Sequence, residues 1–393
     1  MPKPERSASR VGVLGALIGA CGLLLGDFVL NRPNRLAPGD PLSLLEALGW
    51  WPVGLFSAGF AILLLVSLFP GRRGVVWGAV LPVLMFLGLL WAQGYAASEL
   101  TRIGGGFTRV SVGSSLWISI LGLFLIYTDM ISRTGRAAPL KAGLGLILVA
   151  GLFILFFSGV LDQISLMLEF EARRSRFFSE FKAHLFITGV SVGLASVAGV
   201  PLGVALFRNR RLRGAVFSAL NIVQTIPSLA LFGLLIAPLA FLSERIPLLK
   251  TLDISGIGWA PAVIALTLYS FLPIVRNTFS GFLTVDGSAL EAGRGMGMGR
   301  TQIFFRVELP IAAPVILNGL RIAGVQNIGN TAVAALIGAG GFGVFIFQGL
   351  GQAATDMVFL GALPTIFLAV FVDRIFQALI QILTPAEQGN DST

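Results

Sequence analysis

The chain has one cysteine, Cys21, one histidine, His184, and four lysines among 393 residues. A single thiol excludes an intrachain disulfide framework and a thiolate metal cage, and a single imidazole gives no basis for a histidine-held metal or a Ser–His–Asp triad. None of the lysines follows a glycine, so the G-x-x-x-x-G-K-[ST] loop that cradles nucleotide phosphates is absent. The chain therefore has no ATP site of that kind. Charge is also scarce: 12% of residues are charged, against about a quarter in a soluble domain. Hydrophobic residues make up 55% and the net charge is +9. The expected solvent is lipid, and no catalytic residue, metal or cofactor is expected. The basic residues are scattered in small clusters, which argues against a nucleic-acid partner.

What is present is a series of apolar runs. A membrane span takes roughly 20 apolar residues, and ten stretches qualify: 11–30, 51–69, 75–97, 114–131, 143–163, 185–207, 215–242, 259–283, 313–337 and 357–383. With the N-terminus placed in the cytoplasm, the inside segments hold fifteen Lys and Arg and the outside segments ten, the bias that sets orientation. Both termini are then cytoplasmic. The segment 171–184, "EARRSRFFSEFKAH", mixes Arg, Lys and Glu with Phe pairs. It is expected as an interfacial amphipathic helix. The last residues, 385–393, are expected as a disordered tail.

The chain changes character near residue 171. Residues 1–170 hold about five spans with few polar groups. From 171 to 384 the spans contain proline and polar clusters. Asn221, Gln224 and Thr225 fall at i, i+3, i+4 and share a helix face, with Pro227 just after. Asn327, Asn330 and Thr331 repeat the spacing, and Tyr269 and Ser270 precede Pro273. Such groups are either interhelical hydrogen-bonding glue or the lining of a polar path. Three later spans carry them, so a path involving Asn221, Gln224, Thr225, Tyr269, Asn327 and Asn330 is expected. Arg276, Arg321 and Asp373–Arg374 read as snorkelling ends. "GAGGFG", Gly338 to Gly343, fits G-x-G-x-x-G, but a dinucleotide site needs a preceding strand. A tight re-entrant turn is expected instead.

Residues 284–312 form the odd segment. "EAGRGMGMGRTQIFFRVELP", Glu291 to Pro310, is too charged to span and too apolar for a solvated linker. Ser288 with Glu291 three residues later has the spacing of a capping box. The glycines give a bare side, Met and Phe offer anchors, and Leu309–Pro310 is expected to end the loop. A short helix suited to docking a protein is expected.

Glu291–Ala292, Gly297 and Val307-x-Leu309–Pro310 resemble the signature loop of the permeases of binding-protein-dependent ABC importers, with Gly293 where the second Ala usually stands and Val307 where Ile stands. "NIVQTIPSLALFGLL", "LYSFLPIVRNTFSGF" and "ALIGAGGFGVFIFQGL" are similar to the glycine betaine, choline and proline branch of that family. The resemblance covers about residues 180–383. The N-terminal spans lie outside it; the extended form is similar to the larger membrane subunit of low-affinity betaine systems. The resemblance implies an all-α polytopic protein of the bacterial inner membrane, with a type I importer permease core and an extra N-terminal helical region. It implies that Glu291, Ala292, Gly293, Gly297, Arg300, Leu309 and Pro310 couple to cytoplasmic ABC ATPase subunits. Further implied partners are a second permease, alike or different, and a periplasmic solute-binding protein. A different small solute such as an amino acid, an ion-coupled secondary transporter, and a membrane scaffold stay open as alternatives.

Overall fold

Apolar runs bounded by glycine, proline and charge become helices, and helices fill nearly all of the computed structural model, which describes residues 8–35, 37–134 and 137–384. The chain divides into two compact units, Met1–Ala172 and Arg173–Thr393.

In the first unit, α1 (Arg10–Leu25) is followed by strands β1 (Val29–Arg32) and β2 (Asp40–Leu42), α2 (Leu44–Leu48), α3 (Trp50–Leu68), α4 (Arg72–Gly104), β3 (Arg109–Val112), α5 (Ser114–Ser132), α6 (Ala137–Phe157) and α7 (Ser165–Ala172). The strands form an antiparallel sheet in the order β2–β1–β3, registered by Val29 opposite Leu42 and Val112. The all-helical expectation missed this sheet. The first apolar run was expected to span to Leu30, but α1 stops at Leu25, before Gly26, and its continuation turns into β1. Gln93 ties the sheet to α4, its Nε2 donating to the Phe28 carbonyl at 2.6 Å. Helices α1 and α5 meet backbone to backbone. A Cβ on Gly122 would lie 2.4 Å from the Gly15 carbonyl oxygen, so only glycine permits the contact. Ser9 caps α1 and donates to Asp129 at 2.5 Å, and Asp129 also pairs with Arg133 at 2.9 Å. The core between these helices holds Leu23, Phe60, Leu63, Leu89, Ile126 and Met130, all 2% exposed or less.

The second unit contains α8 (Arg174–Arg208), α9 (Arg210–Thr225), α10 (Ser228–Arg245), α11 (Pro247–Thr251), α12 (Trp259–Leu283), α13 (Gly287–Gly295), α14 (Arg300–Ile303), α15 (Leu309–Ala334), α16 (Gly343–Gly351) and α17 (Thr355–Leu383). Helix α12 is its centre, buried along 13 residues and packed between α8 and α15. Glycines set the spacing: Gly199 and Gly203 of α8 lie against α12, and Gly319 of α15 lies against Asn277 and Pro273 of α12.

Four expectations change here. Among the described residues, nine helices rather than ten are long and apolar enough to cross a membrane; α1, at 16 residues, is apolar but shorter. The run 215–242 is two helices, because Ile226 and Pro227 take extended conformations between α9 and α10. Segment 171–184 is not a separate interfacial helix. Glu171 and Ala172 end α7, and from Arg174 the chain is the first part of a single 35-residue helix. At 1.5 Å per residue α8 is about 52 Å long, well beyond the roughly 30 Å of hydrocarbon, so its charged beginning has room outside the apolar layer. Arg321 and Asp373 are not snorkelling ends. They pair across α15 and α17, with Arg321 Nε 2.5 Å from Asp373 Oδ1, while Arg276 is exposed. The expected tail, 385–393, lies outside the described residues.

Candidate functional site

Segment 284–312 folds as a helix, a left-handed turn, and a second helix. Asp286, not Ser288, is the N-cap of α13: its carboxylate accepts from the Ser288 amide at 3.2 Å and from the Ser288 hydroxyl at 2.8 Å. Burial is absent there, and these donors hold the Asp286 carboxyl below its ordinary range. The capping box expected from Ser288 and Glu291 is therefore not the one formed. Helix α13 ends at Gly295. Gly297 follows with φ +77° and donates its amide to the Arg294 carbonyl at 2.9 Å. This left-handed position is what glycine is needed for. Gly299 then precedes α14, its amide bonded to the Gln302 side chain at 2.9 Å.

Glu291, Ala292, Gly297 and Arg300 are exposed, and so are Met296 and Phe305, at 70% and 60%. Gly293 is buried beneath them. A Cβ there would meet Ile303, Met298 and Val307 at 3.6–3.8 Å, ordinary contact distances. The site thus has a buried inner side and an outer side carrying both charge and apolar groups. Leu309–Pro310 does not end the segment. Helix begins at Arg300 and runs on through Phe304–Glu308 to Ala334, with Pro310 near the start of α15.

Between α14 and α15 the backbone makes a five-residue π-helical turn, Phe304–Glu308, closed by the Leu309 amide on the Phe304 carbonyl. Glu308 is 4% exposed and pairs with Arg208 at the end of α8. Arg213 donates to the Leu206 and Phe207 carbonyls, both at 2.7 Å, capping the same helix end. Sequence reasoning missed Glu308, which lay inside the segment without a local signal; its partner is 100 residues away.

The polar residues of the later spans are partly brought together. Gln224 donates to the Tyr269 carbonyl at 2.6 Å and accepts from Gln326 at 3.4 Å. The Tyr269 hydroxyl donates to the Ile226 carbonyl at the α9–α10 break. The Tyr269 ring is 3% exposed, in a cluster with Ile187, Phe232 and Leu266, so it presents no open face to a cation in this conformation. Asn327 is fully buried, donating to the Ser270 hydroxyl at 2.8 Å and the Leu266 carbonyl at 3.3 Å. Its Oδ1 has no partner among the described residues. Asn330 is half-buried, and Asn221 and Thr225 are exposed; these three are not joined to the cluster.

A second polar cluster was not anticipated. Glu180, His184 and Thr188 lie one helical turn apart on α8. Glu180 accepts from the Gly341 amide at 2.8 Å, His184 Nδ1 from the Phe342 amide at 3.3 Å, and Thr188 bonds Thr331 at 3.0 Å. The "GAGGFG" glycines make the expected tight turn, with Gly338, Gly340 and Gly341 at positive φ. The preceding element is a 3₁₀ turn, not a strand, which removes the dinucleotide reading. No group of three or more metal-ligating side chains occurs among the described residues.

Comparison with known proteins divides the chain in a similar way. Residues 194–384 match the family described as binding-protein-dependent transport system inner membrane component, and residues 9–167 match the N-terminal domain of the ABC transporter permease YehY. The osmoprotectant import permease protein OsmW of Salmonella typhimurium is 43% identical over 202 residues, 51% of this chain and 89% of that protein. The choline transport system permease protein OpuBD of Bacillus subtilis is 36% identical over 230 residues, 58% of this chain and 94% of the relative. Among solved structures, a chain of the MetNI methionine ABC transporter, in inward-facing conformations, aligns with TM-score 0.45 and 26% identity, covering 55% of this chain and 99% of that one.

Proposed function

The chain belongs to the binding-protein-dependent transport system inner membrane components, and from that premise we propose that it is the permease subunit of an ABC importer for a small osmoprotectant, glycine betaine or a similar quaternary amine. The observation that carries the solute class is the 43% identity to nearly the whole of a permease named for osmoprotectant import. The chain hydrolyses nothing itself. ATP is hydrolysed on a cytoplasmic ATPase subunit, a second permease completes the pathway, and a periplasmic binding protein delivers the solute.

In this reading, segment 284–312 faces the cytoplasm and docks the ATPase. Glu291, Ala292, Gly297, Arg300, Met296 and Phe305 supply the contact, and the buried Gly293 faces Ile303, Met298 and Val307 on the inner side. Support comes from the exposure of those six residues around a buried inner side. ATP binding biases a two-state equilibrium of the bundle by holding the docked loop differently in the two states. The solute path runs where α9, α12 and α15 meet, at Gln224, Tyr269 and Asn327, with the half-buried Asn330 further along α15. For a quaternary ammonium to use the Tyr269 ring, the joint at Ile226–Pro227 has to open. The test is uptake of labelled glycine betaine into proteoliposomes holding the permease, its ATPase and its binding protein, with choline and carnitine as competitors. ATP-dependent uptake is expected. Uptake driven by an ion gradient without any ATPase would replace this reading with a secondary transporter.

A further inference from the structure

A docking loop transmits force only if its movement reaches the helices that line the path. Two covalent routes leave segment 284–312, one into α12 at Leu283 and one into α15 through the π turn. A third, non-covalent route leads to α8. Gly293 of α13 lies against Ile303 and Val307. The next residue, Glu308, is buried and holds Arg208. The rings of Phe207, Phe282 and Phe304 sit beside this pair, Phe282 being 5.7 Å from each of the others. α13, the π turn and the end of α8 are therefore one packed chain of contacts.

The π turn supplies the two-state element that such a chain needs. A π turn holds one more residue than an α turn, and single π turns inside α-helices recur at functional sites. Converting it to α geometry rotates the segment before it by about 100° relative to α15 and moves it about 1.5 Å along the axis. We propose that Arg208 and Glu308 are a positioning pair that carries motion of the docking loop into α8, with the Phe304–Glu308 turn as the hinge. The inference rests on the reading of 284–312 as the ATPase-docking loop. A buried carboxylate is costly without its partner, so Arg208 has to follow Glu308 when the turn changes. An apolar contact at the same place tolerates sliding and does not impose that link.

The test measures solute moved per ATP hydrolysed, in proteoliposomes with the complete complex. Glu308→Gln removes the buried charge with little change in shape, and Arg208→Gln leaves that carboxylate without its partner. Each is expected to lower glycine betaine uptake per ATP by about tenfold, within the usual range of coupling between sites, while the ATPase still co-purifies. The double exchange Arg208→Glu with Glu308→Arg is expected to restore most of the ratio. An unchanged ratio in both single variants overturns the inference and leaves the importer reading intact. So does loss of the folded permease in all three variants, which assigns the pair to structure alone. Absence of ATP-driven uptake by the unaltered complex overturns the importer reading, and this inference with it.

Discussion

His184 and Phe342, 158 residues apart, are joined in two ways: the imidazole Nδ1 accepts the Phe342 amide at 3.3 Å, and the two rings lie 5.2 Å apart. Because Nδ1 accepts, the ring proton is on Nε2, which then donates to the Ile328 carbonyl at 3.1 Å. One buried side chain thus fixes the "GAGGFG" turn to α8 and to α15. His184→Phe keeps the ring contact and removes both bonds. The Phe342 amide is then stranded, at about 1–3 kcal/mol for a buried unpaired group. Thermal unfolding in detergent should show the loss, and His184→Gln, which retains an acceptor, should recover part of it. Equal stability of His184→Phe and the unaltered chain would refute this assignment.

Two glycines four residues apart should respond oppositely, because Gly293 and Gly297 meet different demands. Gly293 lies within α13 with ordinary contact distances around an added Cβ. Gly293→Ala should stabilise the loop by about 0.5–1 kcal/mol through helix propensity. Gly297 has open space around it but φ +77°, so Gly297→Ala should cost about 1–2 kcal/mol. ATPase co-purification should fall for Gly297→Ala and hold for Gly293→Ala. Gly297→Asn should lie between them, since Asn visits the left-handed region more readily.

The cap of α13 gives a pH dependence with a definite sign. Asp286 is ionised more readily in the folded loop than in an unfolded one, because the Ser288 hydroxyl and amide bond the carboxylate. Its contribution is fully present above the ordinary Asp range, about pH 4. It is lost as pH falls through the lower folded value. Protection of the first amides of α13, their exchange relative to an unstructured amide at the same pH, should be high at neutral pH and fall below pH about 4. Asp286→Ala should show low protection at all pH values, and a protection profile in that variant matching the unaltered chain would remove the capping role.

Helices and the odd loop were readable because both leave local marks: long apolar runs, and one charged interruption with glycines. The features that escaped depend on partners far along the chain. Nothing near Glu308 or His184 announces Arg208 or Phe342. Nor does proline alone tell its own consequence. Pro227 separates α9 from α10, whereas Pro273 is carried inside α12, where Asn277 Nδ2 bonds its carbonyl at 2.8 Å. The sheet was missed because β1, β2 and β3 are three or four residues each, too short for alternation to register.

Asn327 separates glue from pathway. Leucine in its place loses two hydrogen bonds, each worth about 1 kcal/mol, but also removes an unpaired buried Oδ1, which costs a similar amount. Ser270 keeps its own bond to the Leu266 carbonyl. Asn327→Leu should therefore change stability by less than about 1 kcal/mol while lowering glycine betaine uptake. Unaltered uptake would take Asn327 off the path, and a large loss of stability would make it glue.

The packing of α8 on α12 offers a paired test on one helix. Gly193 and Gly203 both sit inside α8, so replacing either with Ala brings the same propensity gain of about 1 kcal/mol. Gly193 is exposed with nothing within 4 Å of an added Cβ, whereas at Gly203 that atom would lie 2.6 Å from Thr278 Cβ and 2.9 Å from the Val275 carbonyl. The second contact is backbone, which cannot swing aside, so α8 and α12 must separate. Overpacking of this kind costs about 1–3 kcal/mol, enough to outweigh the gain. Gly193→Ala should melt at or above the unaltered temperature in detergent, and Gly203→Ala several degrees below it. Thr278→Ala removes Cγ2, 2.8 Å away, but keeps Cβ, so in the double variant it should relieve only part of the side-chain clash, and it breaks no hydrogen bond among the described residues. What stability that double variant still lacks measures the two contacts that remain, with the Cβ of residue 278 and with the Val275 carbonyl.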